Sequence, residues 1–217
     1  MKNTMEYKGI KIEWLNHHAG FLITTKNDRR IFIDPWEIKK EESADIILIT
    51  HSHYDHFSPD DIRRIKTNST SVIAPIDCRE KISGAFKRAG PGTRINEDGI
   101  VIEAVPAYNI RRFRAPGEPF HPAEKKWNGY VIDIDGILIY HSGDTDFIEE
   151  MKELKNIDVA LVPCGGIYTM DGREAGEACN AFMPKVAVPM HWGKIVGTRK
   201  DADDFAAHFK GETRILE

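Results

Sequence analysis

Asp45-Ile46-Ile47-Leu48-Ile49-Thr50-His51-Ser52-His53-Tyr54-Asp55-His56 is the stretch on which the reading of this chain turns. Its first half is a continuous apolar run of strand length, the pattern of a strand buried on both faces. Its second half crowds His51, His53, Asp55 and His56 directly past that strand's carboxyl end. Imidazole and carboxylate are donors that hold zinc or iron, with no thiolate needed. In an extended turn His51 and His53 point the same way and chelate one ion. Asp55 and His56, after the chain bends, approach a second, so the spacing favours two ions side by side. The plainer alternative, histidines that cap strand and helix ends, suits a lone His better than four donors at one strand exit.

Downstream, Ser58-Pro59-Asp60-Asp61 supplies an N-cap, a proline at the first helical position and acids in the first turn, which predicts a helix to about Lys66. Strands are expected upstream at Ile10–Leu15, Phe21–Thr25 and Arg30–Asp34, then at Ser71–Ile76, with a helix over Cys78–Lys87. The second half repeats this grammar. Gly99–Tyr108 reads as a strand, and Tyr130–Asp133 with Ile137–His141 as a hairpin around Asp135-Gly136. Helices are expected over Phe147–Leu154, Arg173–Met183 and Asp201–Phe209, and strands over Asp158–Pro163 and Val186–Met190. Strands alternating with helices in both halves predict two sheets packed together with helices outside. The chain then reads as a single domain over residues 1–217, with pseudo-repeated halves of about 1–98 and 99–217.

Further donors are expected at other strand ends. Asp34 closes Ile31-Phe32-Ile33 and precedes Pro35; Asp144 follows Ile137–His141 within Ser142-Gly143-Asp144-Thr145; His191 ends Val186–Met190. Taken singly, an Asp after a strand is as often a turn residue or helix cap. Beside the four-donor cluster the three form a coherent set.

These elements resemble the metallo-β-lactamase superfamily: Asp34 after a strand, His51-Ser52-His53-Tyr54-Asp55-His56, Gly143-Asp144-Thr145 and Pro189-Met190-His191, in the family's order and over nearly the whole chain. Trp14-Leu15-Asn16-His17-His18-Ala19-Gly20-Phe21 and Gly129-Tyr130 look like the small hydrolase branch that includes ascorbate-6-phosphate lactonase-like proteins. The resemblance implies an α+β fold, an αββα four-layer sandwich with the metals at the upper edge of the sheets. It implies His51 and His53 on the first metal, Asp55, His56 and His191 on the second, and Asp144 bridging both. Asp34 would orient a ligand histidine through its other ring nitrogen, and His18 would lie nearby. One departure stands out. The family usually supplies a third histidine to the first metal just after the strand that here ends Val105-Pro106-Ala107-Tyr108, and this chain has Asn109 there. His121, in Pro119-Phe120-His121-Pro122, is the expected substitute; His141, Asn109 itself or water are the alternatives.

Two Zn²⁺ ions per chain are expected, with Mn²⁺ or Fe as alternatives. Such a pair makes hydroxide accessible near neutral pH and polarises the attacked oxygen, with Asp55 as the catalytic carboxylate that orients the hydroxide or shuttles its proton. No Gly-x-Ser-x-Gly offers a serine nucleophile. The long irregular stretch from Asn109 to Asn128 is of a length that is usually functional. It carries Arg111, Arg112 and Arg114, which suggest an anionic small-molecule substrate: an ester, lactone, amide or phosphoester. An iron-dependent redox protein on the same scaffold, or a non-catalytic metal or ligand sensor, are the rival readings.

Composition is ordinary for a globular protein: 41% hydrophobic and 29% charged residues over 217. A net charge of -4 argues against a general nucleic-acid binder. No apolar run is long enough to span a membrane, and Met1–Glu6 lacks a signal peptide's apolar stretch, so cytoplasmic residence is the expectation. Cys78, Cys164 and Cys179, odd in number and widely spaced, do not read as a disulfide framework.

Overall fold

The computed structural model describes residues 3–217. They divide into two compact units, one of residues up to Gly90 joined by Leu216 and Glu217, the other Pro91–Ile215. No helix among the described residues is long and apolar enough to cross a membrane.

The first unit is a seven-stranded sheet in sequence order: β1 (Thr4–Tyr7), β2 (Ile10–Trp14), β3 (Phe21–Thr24), β4 (Arg30–Ile33), β5 (Ile46–Leu48), β6 (Ser71–Ala74) and β7 (Lys87–Arg88). Pairing is antiparallel through β4 and parallel from β4 to β7. Hence β2, β4, β5 and β6 all end at the same edge, and the segments after them carry His18, Asp34, His51 and Ile76. Helix α1 (Pro59–Ile65) forms where its cap predicts: the Ser58 hydroxyl accepts from the Asp61 N–H at 3.2 Å. Its Ile62 and Ile65 join Leu22, Phe32, Ile47 and Val72 in the core that fixes the sheet's register. Burial of each such side chain contributes about 1.5–3 kcal/mol, which the entropy of ordering largely offsets.

The second unit is a seven-stranded sheet of order β16-β15-β14-β13-β12-β9-β8, with a separate hairpin of β10 and β11. The strands are β8 (Arg94–Glu97), β9 (Ile100–Pro106), β10 (Phe113–Ala115), β11 (Glu118–Pro119), β12 (Asn128–Ile134), β13 (Ile137–His141), β14 (Val159–Pro163), β15 (Val186–Met190) and β16 (Glu212–Thr213). Because β12 runs antiparallel to both β9 and β13, and β13 to β15 are parallel, β9, β13, β14 and β15 end at one edge. Asp135 and Gly136, both at positive φ (53° and 80°), form the turn of the β12–β13 hairpin. Helices α2 (Gly172–Phe182) and α3 (Arg199–His208) are capped by Asp171 and by a Thr198–Asp201 capping box.

Mixed sheets with helices in both units make the class α+β, as the sequence pattern predicts. Three expectations need correction. Cys78–Lys87 is not a helix but a 3-10 turn over Ile76–Lys81 followed by the short strand β7. Phe147–Leu154 holds only a 3-10 turn, Glu149–Glu153. The stretch from Asn109 to Asn128 contains β10, β11 and a 3-10 turn at Ala123–Lys125.

The backbones of α2 and α3 approach closely at two glycines. A Cβ on Gly172 would lie 2.1 Å from the Asp201 carbonyl oxygen, and one on Gly176 2.9 Å from that of Phe205. Gly172→Ala should therefore destabilise the fold by about 1–3 kcal/mol, read as a lower urea midpoint. An unchanged midpoint would mean the helix pair can separate at little cost.

Candidate metal centre

In the first unit the site is organised by one buried carboxylate. The β4–β5 register pairs Ile33 with Leu48, so Asp34 leaves its strand beside Thr50. Asp34 has a left-handed backbone (φ 45°) and no solvent exposure. Its Oδ1 accepts from the Thr50 N–H at 2.8 Å. Its Oδ2 accepts from the Thr50 hydroxyl at 2.6 Å and from His56 Nδ1 at 2.7 Å.

These bonds decide tautomers. With the Thr50 proton given to Asp34, the Thr50 oxygen accepts from His51 Nδ1 at 3.0 Å, which makes His51 Nε2 the lone-pair nitrogen. The same logic at His56 assigns its proton to Nδ1 and its lone pair to Nε2. His51 Nε2 lies 3.0 Å from His53 Nδ1. Two nitrogens each about 2.0–2.1 Å from one zinc ion stand about 3–3.4 Å apart, so this pair fits a shared cation. On the other side His18 Nε2 meets Asp55 Oδ2 at 2.8 Å, and His56 Nε2 lies 3.8 Å from the same oxygen. His18, Asp55 and His56 each present a ligand atom within 4.8 Å of the others. Asn16 holds the turn that delivers His18, its Oδ1 accepting from the N–H groups of His18 and Gly20 at 3.1 Å each.

The second unit gathers two histidines around Asp144. The Oδ2 of Asp144 lies 3.3 Å from His121 Nε2 and 3.1 Å from His191 Nε2. His191 follows β15 with φ 60°, a costly conformation for a non-glycine residue. A Cβ on Gly165 would sit 2.3 Å from the His191 carbonyl oxygen, so only glycine at 165 admits that backbone path. Asn109 Oδ1 accepts from both the backbone N–H and ring Nδ1 of His121, each at 2.8 Å, and thereby assigns the His121 lone pair to Nε2. Asn109 Nδ2 donates to the Tyr168 carbonyl at 3.1 Å. His141, the other alternative, uses Nδ1 to accept from the Gly143 N–H at 3.1 Å.

The donor set is thus nitrogen and carboxylate only, with the tautomers of His51, His56 and His121 fixed by partners behind them, and it fits a divalent cation in the zinc-to-iron range. The first unit brings together His18, Asp34, His51, His53, Asp55 and His56, and the second brings together His121, Asp144 and His191.

The three arginines do not act as a set. Arg112 Nη1 bonds Asp146 Oδ1 at 3.1 Å and is also paired with Glu174. Arg111 is exposed and lies 3.7 Å from Glu174, while Arg114 sits over the Phe120 ring at 5.8 Å. Sequence reasoning missed Thr50, Asn16 and Asp146. Asp146, two residues past Asp144 in Gly143-Asp144-Thr145-Asp146, was legible only as a second acid beside a first.

Comparison with known proteins agrees with this geometry. Residues 11–191 match the family described as Beta-lactamase superfamily domain. A metal-dependent hydrolase of Thermococcus kodakarensis is 34% identical over 90% of this chain and 90% of its own length, and one of Archaeoglobus fulgidus is 33% identical over 96% and 94%. The chain belongs to the metallo-β-lactamase superfamily, in its family of metal-dependent hydrolases. A crystal structure described as a metal-dependent hydrolase from Parabacteroides distasonis superposes with a TM-score of 0.85 at 32% identity, covering 100% of this chain and 98% of that one. Igni18, a metallo hydrolase from Ignicoccus hospitalis, gives 0.75 at 25% identity, over 96% and 95%. The fold is accordingly of the metallo-β-lactamase type.

Metal affinities of His121→Ala, Asn109→Ala and His141→Ala separate the alternatives for the missing histidine. His121→Ala should weaken binding of one ion most. Asn109→Ala should weaken the same ion about 10–100-fold by releasing the ring. His141→Ala should leave metal affinity near the parent value while lowering thermal stability. Parent-like affinity in His121→Ala alongside a loss in either other variant would reverse the assignment.

Proposed function

We propose that this protein hydrolyses a small ester, lactone, amide or phosphoester with two divalent ions, zinc first among them. His51, His53 and His121 would serve one ion, Asp55, His56 and His191 the other, and Asp144 both. The observation that carries the reading is the preset tautomer of the ligand histidines: Asp34 and Thr50 commit the protons of His51 and His56 to Nδ1, and Asn109 that of His121. A chain that needed these histidines only for packing would have no use for three lone pairs held on Nε2.

Bound ions would lower the pKa of water and polarise the carbonyl or phosphoryl under attack. The protein supplies the rest. Asp55 holds the position for a proton acceptor, since its Oδ2 already bonds His18 Nε2 at 2.8 Å and its side chain retains 15% exposure. His18, buried and tethered through Asn16, keeps that carboxylate from rotating. Thiols have no part: burial pushes the pKa of Cys78, Cys164 and Cys179 upward, most of all by desolvation, so all three stay protonated at neutral pH.

The three arginines support an anionic substrate less than their spacing suggests. Arg112 is committed to carboxylates, which leaves Arg111 and Arg114 as the cations able to meet a substrate phosphate or carboxylate.

Protein loaded with zinc or manganese and desalted should carry close to two ions per chain by elemental analysis. A reproducible single ion at saturation would defeat the two-ion reading. Asp55→Ala should lose hydrolysis by at least 100-fold with the far-ultraviolet circular dichroism unchanged, because a strand-exit loop contributes little core packing. The assay is a panel of phosphodiesters, lactones, esters and amides with zinc, manganese and iron supplied in turn. Parent-level turnover by Asp55→Ala would move the catalytic carboxylate elsewhere.

A further inference from the structure

We propose that Asp146 is a positioning residue for the metal centre: with Arg112 it clamps the root of the β10–β11 hairpin and so holds His121 on Asp144. The inference rests on the reading of His121 as a metal ligand and extends it to a residue that touches neither metal nor substrate.

Asp146 is fully buried and accepts bonds from three consecutive amides: Ile110 at 2.7 Å, Arg111 at 2.6 Å and Arg112 at 3.3 Å, all on its Oδ2. Its Oδ1 takes the Arg112 guanidinium at 3.1 Å. A buried carboxylate is tolerated when its lone pairs are filled, and here the side chain's partners all belong to residues 110–112, a single turn of the loop. Arg112 passes the load on, since it also pairs with Glu174 and lies 3.9 Å from Asp171, at the start of α2. The turn at 110–112 is thus pinned both to the strand-exit loop after β13 and to a helix.

The pinned turn leads straight to His121. Asn109, directly before it, exchanges bonds with His121 in both directions, donating its N–H to the His121 carbonyl at 2.8 Å and accepting at Oδ1 from the His121 N–H and ring. Between the two residues the chain makes a hairpin whose own ladder is short and bulged, with Phe113 opposite Pro119 and Ala115 opposite Glu118. Such a ladder cannot fix a ring to the few tenths of an ångström that coordination demands. The fixing comes from its base.

The loop 144–146 works on both sides. Asp144 faces His121 and His191. Thr145 is stitched to Tyr108, its hydroxyl donating to the Tyr108 carbonyl at 3.0 Å. Asp146 N–H donates to that same carbonyl at 3.0 Å, while the Asp146 side chain collects the next three amides. One segment of three residues therefore sets the distance between a ligand carboxylate and the hairpin that brings a ligand imidazole to it.

The test uses metal binding rather than turnover. Zinc affinity is measured by competition with a chromophoric chelator, and coordination by the visible absorbance of the cobalt-loaded protein, for the parent, Asp146→Asn, Arg112→Met and His121→Ala. Asp146→Asn keeps the shape but replaces an acceptor oxygen with a donor facing donors. It should weaken one of the two ions about tenfold or more and shift the cobalt spectrum toward that of His121→Ala. The other ion should bind as in the parent, and circular dichroism of the metal-free protein should match it. Arg112→Met, which leaves the three amide bonds intact, should weaken the same ion by a smaller factor and covers the case in which Asp146→Asn does not fold. If both variants lower the thermal midpoint yet bind both ions at parent affinity, while His121→Ala loses one, the role is structural and the proposal falls alone. Parent-like binding in His121→Ala would remove the ligand assignment beneath it as well.

Discussion

The Asp34 carboxylate, buried without solvent and bonded to Thr50 and His56, is the constraint on which the first unit's chemistry depends. A buried charge must be satisfied on every side or it destabilises the fold by several kcal/mol. Here the satisfaction comes from groups that must themselves be oriented. The backbone N–H of Thr50 fixes one oxygen, and the hydroxyl and imidazole fix the other. The parallel register of β4 with β5 makes this possible, because it brings the exit of one strand beside the exit of the next. Its left-handed backbone adds about 1–2 kcal/mol of cost, which the three bonds and the surrounding core sustain. The stability of the fold and the tautomers of His51 and His56 are therefore set by the same few atoms.

The second unit solves the same problem with different parts. Its carboxylate Asp144 stands at a strand exit and faces imidazoles directly, and the tautomer of His121 is set by a carboxamide, Asn109, in place of a carboxylate. An amide oxygen is a weaker acceptor than an ionised carboxylate. It also leaves the His121 ring less electron-rich than a carboxylate partner would. The backbone bond from Asn109 to His121 compensates in geometry, tying the two residues at both main chain and side chain.

How much of this was legible follows from how local each signal is. The Ser58-Pro59 cap, the Asp135-Gly136 turn and the apolar runs of β5, β14 and β15 are decided by neighbours in sequence, and each forms where its residues predict. The donor-rich strand exits were legible for the same reason, since a chelating cluster and its strand occupy twelve adjacent residues, Asp45 to His56. The turns Lys8-Gly9 and Asp98-Gly99, both at positive φ, carry the same hairpin signal as Asp135-Gly136, yet β1 and β8 were overlooked because their residues alternate only weakly. The 3-10 turn begun at Ile76 already ends at Lys81, where Ile82 is extended, and Gly84 at φ 75° lies between it and β7. The β10–β11 hairpin was illegible on physical grounds: the turn that leads into it, at Ile110 and Arg111, is bonded to Asp146, more than thirty residues away in sequence.

That distance also explains why charge counting misread the loop. Three arginines within four residues suggest a free cationic patch when seen in sequence alone. The fold spends Arg112 on Asp146 and Glu174, draws Arg111 toward Glu174 and lays Arg114 over an aromatic ring. Of the three charges, only that of Arg112 is bonded to the buried Asp146 carboxylate. Selectivity for an anionic substrate would have to come from Arg111 and Arg114 acting singly and in solvent, where each ion pair is worth about 0–1 kcal/mol. Discrimination of that size is under tenfold, so under the proposed hydrolysis the shape of the loops around the strand exits, more than their charge, would have to set which substrate is turned over fastest.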